Sequence, residues 1–162
     1  MSWREVKTQA AIDEFMEKNG DLHDSVIVSV NYVSGCHDTD GSYMIVSSPD
    51  NALLLTVDSG WFGRIEMLFS GVVYHAVQGH AENYSAEIHE CVLEFRTDLM
   101  GNTRDDRLIV WTDGTRLKSL EKFGIDLKAA NDSFVIAKSL RWRYAKEADD
   151  MDIEDEVYKH FI

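Results

Sequence analysis

The chain predicts a mainly β, antiparallel (α+β) domain, a sandwich or partly open barrel of about seven to eight strands with an N-terminal helix and a short C-terminal helix. Three observations lead there. Short runs of alternating apolar residues recur along most of the length, short polar turn sequences separate them, and the whole chain holds one proline. No stretch alternates a strand with a long helix, which excludes a Rossmann-like parallel sheet. With 162 residues and 44% hydrophobic side chains, residues 1–162 are expected to form a single domain with an ordinary core.

The first 18 residues carry helical spacing. Ser2 and Glu5 stand at capping-box distance, and Ile12, Phe15 and Met16 form a short apolar stripe. Asn19-Gly20 then supplies residues on which helices commonly stop. From Asp24 the period becomes two, which puts Val26, Val28, Val30 and Tyr32 on one face. Tyr43 to Ser47 and Ala52 to Asp58 are expected to pair as a hairpin through Ser48-Pro49-Asp50-Asn51. Arg64 to Phe69 and Val72 to Val77 follow, joined at Gly71 as one bent strand. Further strands are expected at Ile88 to Phe95, Arg107 to Trp111 and Phe134 to Trp142. Between residues 116 and 123 there is room for a helical turn or a loop.

The C-terminal region is the most acidic. Seven acids fall between Glu147 and Glu156 with no base among them, yet Ile153, Val157 and Phe161 recur at helical spacing. A short amphipathic helix packed on the sheet is the expectation. Those seven acids are about half of the formal net charge of −13, and the rest of the chain carries −6.

That charge excludes several functions. Nucleic-acid and anionic-membrane surfaces would be repelled, because both are bound through Lys and Arg. A basic protein partner is the natural complement. Two cysteines, Cys36 and Cys91, fit reduced thiols better than a disulfide, and the N-terminus lacks the apolar core of a signal peptide. A cytoplasmic location is expected.

Catalytic patterns are weak. His23-Asp24-Ser25 has the letters of a triad, but neighbours along a strand point to opposite faces and cannot bond end to end. His75, His80 and His89 with Glu87 and Glu90 match no compact metal-ligand spacing, and residues 36–47 lack the first and twelfth ligands of an EF-hand loop. No metal and no cofactor is expected. Glu66, together with Glu90 and Glu94 on a common strand face, offers paired carboxylates, and their alternative use would be in a small hydrolase or ligand-binding domain. Trp61, Phe62 and Tyr84 sit in loop-like stretches and are candidate anchors for a partner. Arg141-Trp142-Arg143-Tyr144 is a basic-aromatic cluster able to stack on or neutralise acids.

Three segments carry a resemblance. Leu22-His23-Asp24-Ser25-Val26-Ile27-Val28 with Tyr32-Val33-Ser34-Gly35 resembles the HDS-x-I…Y-x-SG opening of small, mostly uncharacterised bacterial proteins. Ile65 to Val72 is similar to their IE-h-x-F-x-GV strand. Phe134 to Arg143 is similar to their strand ending in RWR, with Lys138 and Ser139 in reverse order. The resemblance spans most of residues 22–143 and implies a β-rich domain with no established activity. Some similar short acidic domains are thought to be immunity proteins of toxin systems, which implies a non-enzymatic inhibitor of a basic toxin or enzyme.

Overall fold

The computed structural model describes residues 2–77, 86–99, 107–114 and 133–145. Ten strands and one α-helix lie within them: β1 Arg4–Val6, α1 Gln9–Lys18, β2 Ser25–Val33, β3 His37–Thr39, β4 Tyr43–Ile45, β5 Ala52–Ser59, β6 Gly63–Ala76, β7 Glu87–Ile88, β8 Cys91–Arg96, β9 Leu108–Asp113 and β10 Phe134–Tyr144. The chain is mainly β, as its alternation predicts.

The main sheet is ordered β7-β2-β5-β6-β10-β9-β8, with every pairing antiparallel. Its two ends, β7 and β8, are separated in the chain only by His89 and Glu90. One stretch therefore pairs with β2 at its start and with β9 after the break, and the sheet is nearly closed. β1 lies on the edge of β10 beyond the reach of β9, with Arg4 opposite Trp142 and Val6 opposite Leu140.

The amino-terminal segment corrects the expected helix over residues 2–18. The free edge at Leu140–Trp142 recruits Arg4–Val6 as a strand, so α1 starts later. Thr8 is its N-cap, accepting a hydrogen bond from the Ala11 amide at 3.2 Å, and the Ser2–Glu5 pair plays no such part. The stripe is placed as the spacing predicts. Ile12 and Phe15 are buried, Met16 packs against the core, and Phe15 meets Trp142 edge to face at 5.0 Å. The side chain of Asn19 closes α1 by donating to the Phe15 carbonyl at 2.7 Å. Gly20, Asp21 and Leu22 then all have positive φ, which swings Leu22 into the core.

A hairpin between residues 43–47 and 52–58 does not form. Tyr43–Ile45 pairs with His37–Thr39 as a separate two-stranded arm, and β5 pairs with β2 and β6. The Asp40-Gly41 turn explains the preference: both residues have positive φ, and the Thr39 hydroxyl donates to the Tyr43 carbonyl at 2.6 Å.

Strict alternation also fails on β2. Ile27, Val30 and Tyr32 face Val57, Leu55 and Leu53, all core residues, while Val26 faces Asp58. The irregularity between Ile27 and Ser29 shifts the pleat by one residue. In the ladder Val26 and Val30 therefore stand on opposite faces, although Val26, Val28, Val30 and Tyr32 are all exposed, as their alternation with Ser25, Ile27 and Ser29 predicts. The same odd step of three recurs on the two longest strands. Core residues run Ile65, Met67, Phe69 and then Val72 on β6, and Val135, Ala137 and then Leu140, Trp142 on β10. Gly71, with φ 63°, sits at that step, where an added Cβ would meet Lys138 carbon atoms at 2.9 to 3.1 Å. Asn51 clamps it. Its carbonyl accepts from the Gly71 amide at 3.0 Å, its side-chain amide donates to the Val72 carbonyl at 3.0 Å, and its side-chain oxygen accepts from the Val72 amide.

A smaller apolar cluster covers the other face around β9 and β10: Leu99, Leu108, Val110, Phe134 and Ile136, with Tyr74 stacked on Phe134 at 5.8 Å. The expected helix around Glu147–Glu156 and the element at 116–123 lie outside the described residues. No helix among the described residues is long and apolar enough to cross a membrane.

Gly71→Ala adds a Cβ in a left-handed position against Lys138. It should destabilise the fold by about 1–2 kcal/mol, read as a lower denaturant midpoint with an unchanged slope. An unchanged midpoint would contradict the account of the bend.

Candidate functional site

The candidate carboxylates are engaged or apart. Glu66 on β6 is buried and bonded to Arg143 on β10 at 2.6 Å, and the two stand directly opposite in the ladder. They lie on the face opposite Ile65 and Met67, in a row continued by Thr56. The Arg143 guanidinium also lies 4.3 Å from the ring centroid of Trp3. Removing either partner takes the close opposite charge away from a buried group, so this pair is a structural fixture of the outer face.

Glu94 lies on β8, half-buried, and accepts from Arg96 at 3.0 Å. Arg96 is itself buried and is gripped by both carboxylate oxygens of Asp98, at 2.6 and 2.7 Å, which hold the guanidinium firmly protonated. Glu90 does not share a strand with Glu94; it sits exposed in the break between β7 and β8, where its carbonyl accepts from the Gly114 amide at 2.7 Å. Three inter-strand steps separate Glu66 from Glu94, about 14 Å at ordinary strand spacing. A pair of glycosidase carboxylates needs about 5–10 Å. Those side chains do not converge.

The aromatic candidates divide. Trp61 stands at the tip of the β5–β6 hairpin and is 82% exposed, whereas Phe62 beside it packs against the core. Tyr84 and His80 lie outside the described residues. The largest apolar exposure that sequence patterning missed is on the β3–β4 arm, where Tyr43, Met44 and Val46 are 67%, 72% and 77% exposed. Asp38 and Asp40 belong to the same arm.

The Cys91 thiol is not an activated nucleophile. Cys36 is exposed, and burial pushes the Cys91 thiol up to about 12, where its Sγ lies 3.2 Å from the Asp21 carbonyl. His75 contacts the Tyr32 ring at 4.5 Å, and burial pulls its pKa below the ordinary imidazole value. The Ser25 hydroxyl, far from acting in a triad, donates to the Leu22 carbonyl.

One set of metal-ligating groups does converge. Asp24, Glu87 and His89 each offer a ligand atom, and these lie within 4.8 Å of one another. Spacing along the chain hides the cluster, because Asp24 is more than sixty residues from its partners and meets them only through the β2–β7 pairing. No family model, no curated protein and no solved structure matches this chain.

Two outcomes follow from this geometry. Glu66→Ala should cost about 3–5 kcal/mol of unfolding free energy, as loss of one partner of a buried pair does; a variant as stable as the parent would show that the carboxylate has no structural role. With a thiol reagent at pH 8, Cys36 should react at least about 100-fold faster than Cys91 in the folded chain, and equal rates would contradict the buried environment of Cys91.

Proposed function

We propose that the chain is a non-enzymatic, intracellular binding protein that masks a basic surface of a protein partner, as an immunity-type inhibitor would. The observation that carries this reading is the β3–β4 arm. Three large apolar side chains stand out from a small hairpin that also carries Asp38 and Asp40. Contiguous exposed apolar groups beside charge mark interaction surfaces more often than chance exposure does. The net charge of −13 favours a cationic partner, since opposite fields speed encounter and suppress wrong associations. Trp61 at the opposite end of β5 is a second anchor of the kind that dominates binding energy.

The reading as a hydrolase loses support from the same geometry. Glu66 and Glu94 are held by buried arginines, Glu90 lies apart from both, and the Cys91 thiol is far from activation.

The test is affinity capture from lysate of the source cells with the full-length chain, compared with a Tyr43→Ala/Met44→Ala/Val46→Ala variant and with Trp61→Ala. A basic polypeptide should be retained at low salt, released as ionic strength rises, and lost at least about tenfold with the triple variant. Retention unaffected by the arm, or recovery of no basic protein, would overturn the proposal.

A further inference from the structure

We propose that Asp24, Glu87 and His89 form a site for a borderline divalent transition ion of the Zn2+ class, placed across the seam where the sheet closes. The backbone sets this up. In the β2–β7 ladder Val26 stands opposite Glu87 and Ser25 opposite Ile88, and the Ile27 amide donates to the Ala86 carbonyl at 2.8 Å. Glu87 and His89 are two residues apart and lie on either side of Ile88, which is buried. One further step of the same register brings Asp24 beside His89, and the three ligand atoms come within 4.8 Å of one another. His89 Nε2 lies 3.6 Å from Glu87 Oε2.

Tetrahedral Zn2+ holds nitrogen and oxygen ligands at about 2.0–2.2 Å, and therefore about 3.3–3.5 Å apart. Exposed side chains reach that spacing by small rotamer changes. A purely carboxylate patch would attract hard cations without distinction. The imidazole changes the selectivity, because nitrogen ligands favour Zn2+ and its neighbours over Mg2+ and Ca2+. His23 adds to this: its Nδ1 lies 3.1 Å from Asp24 Oδ1, where it orients that carboxylate or supplies a fourth ligand. The net charge of the chain raises the local cation concentration as well.

The site's position gives it a consequence. Among the described residues β7 is held to β2 by two residue pairs, the shortest junction in the main sheet, and Asp24 belongs to one side of it while Glu87 and His89 belong to the other. A bound ion would staple the seam shut, and binding to the folded state alone raises stability by mass action.

The experiment is calorimetric titration of the metal-free, full-length chain with ZnCl2, with MgCl2 and CaCl2 as comparisons. Thermal unfolding with and without Zn2+ and the visible absorption of a Co2+-loaded sample complete the readouts. One equivalent of Zn2+ should bind and raise the melting temperature, while Mg2+ and Ca2+ at the same concentration should not, and Co2+ should give the absorption of a low-coordinate site. His89→Ala and Asp24→Asn should each weaken Zn2+ at least about tenfold and abolish the rise in melting temperature. Zn2+ binding of equal strength in both variants, equal binding of Mg2+ or Ca2+, or no binding of Zn2+ would overturn the proposal.

Discussion

An antiparallel sheet closes on itself only where its pleat is allowed to change phase, and this fold depends on that constraint. A flat ladder with strict alternation cannot curve enough to bring its two edges together. Here the phase changes on β2 between Ile27 and Ser29, and on β6 and β10 around Gly71. Each change moves the core-facing set by one residue, so Val72 faces inward where simple counting would turn it outward, and Tyr32 stands opposite the core residue Leu53 while its own side chain stays exposed. Asn51 holds the larger bend with three hydrogen bonds to the Gly71-Val72 backbone, replacing ladder bonds that the bend removes. Closure then brings β7 to β2 and gathers side chains that the chain keeps far apart.

The same closure explains how charge is distributed. Arg143 and Arg96 are both buried, and the geometry assigns each of them carboxylates: Glu66 to the first, Glu94 and Asp98 to the second. These acids are structural, each held by a buried guanidinium. Among the described residues, Asp38 and Asp40 are acids of the arm, where exposed apolar groups stand beside them. The nearly closed sheet thus carries a small separate arm on which apolar and acidic side chains lie together.

Much of the fold was legible in the sequence, because local patterning dominates where strands are long and buried. The strands β5, β6, β9 and β10 follow the apolar runs closely, and Gly71 announced a bend within one strand. Legibility ended where tertiary partners decide. Arg4–Val6 becomes a strand because β10 has an unpaired edge, a fact that lies more than 130 residues away in the chain. Tyr43–Ile45 turned back on His37–Thr39 through Asp40-Gly41, both with positive φ, whereas the sequence placed the turn at Ser48-Pro49-Asp50-Asn51. Among the candidate side chains, Trp61 was readable as an exposed loop aromatic. The engagement of Glu66 by Arg143 was not, since cross-strand partners need the register and not merely the strands. The grouping of Asp24 with Glu87 and His89 needed it too.

Amide hydrogen exchange in an Asn51→Ala variant probes the dependence of closure on the bend most directly. If the clamp at Gly71 governs closure, exchange should quicken at the Gly71 and Val72 amides and also at the Ile27 amide, which bonds across the seam to Ala86. Faster exchange confined to Gly71 and Val72, with Ile27 as protected as in the parent, would show that the seam closes independently of the bend.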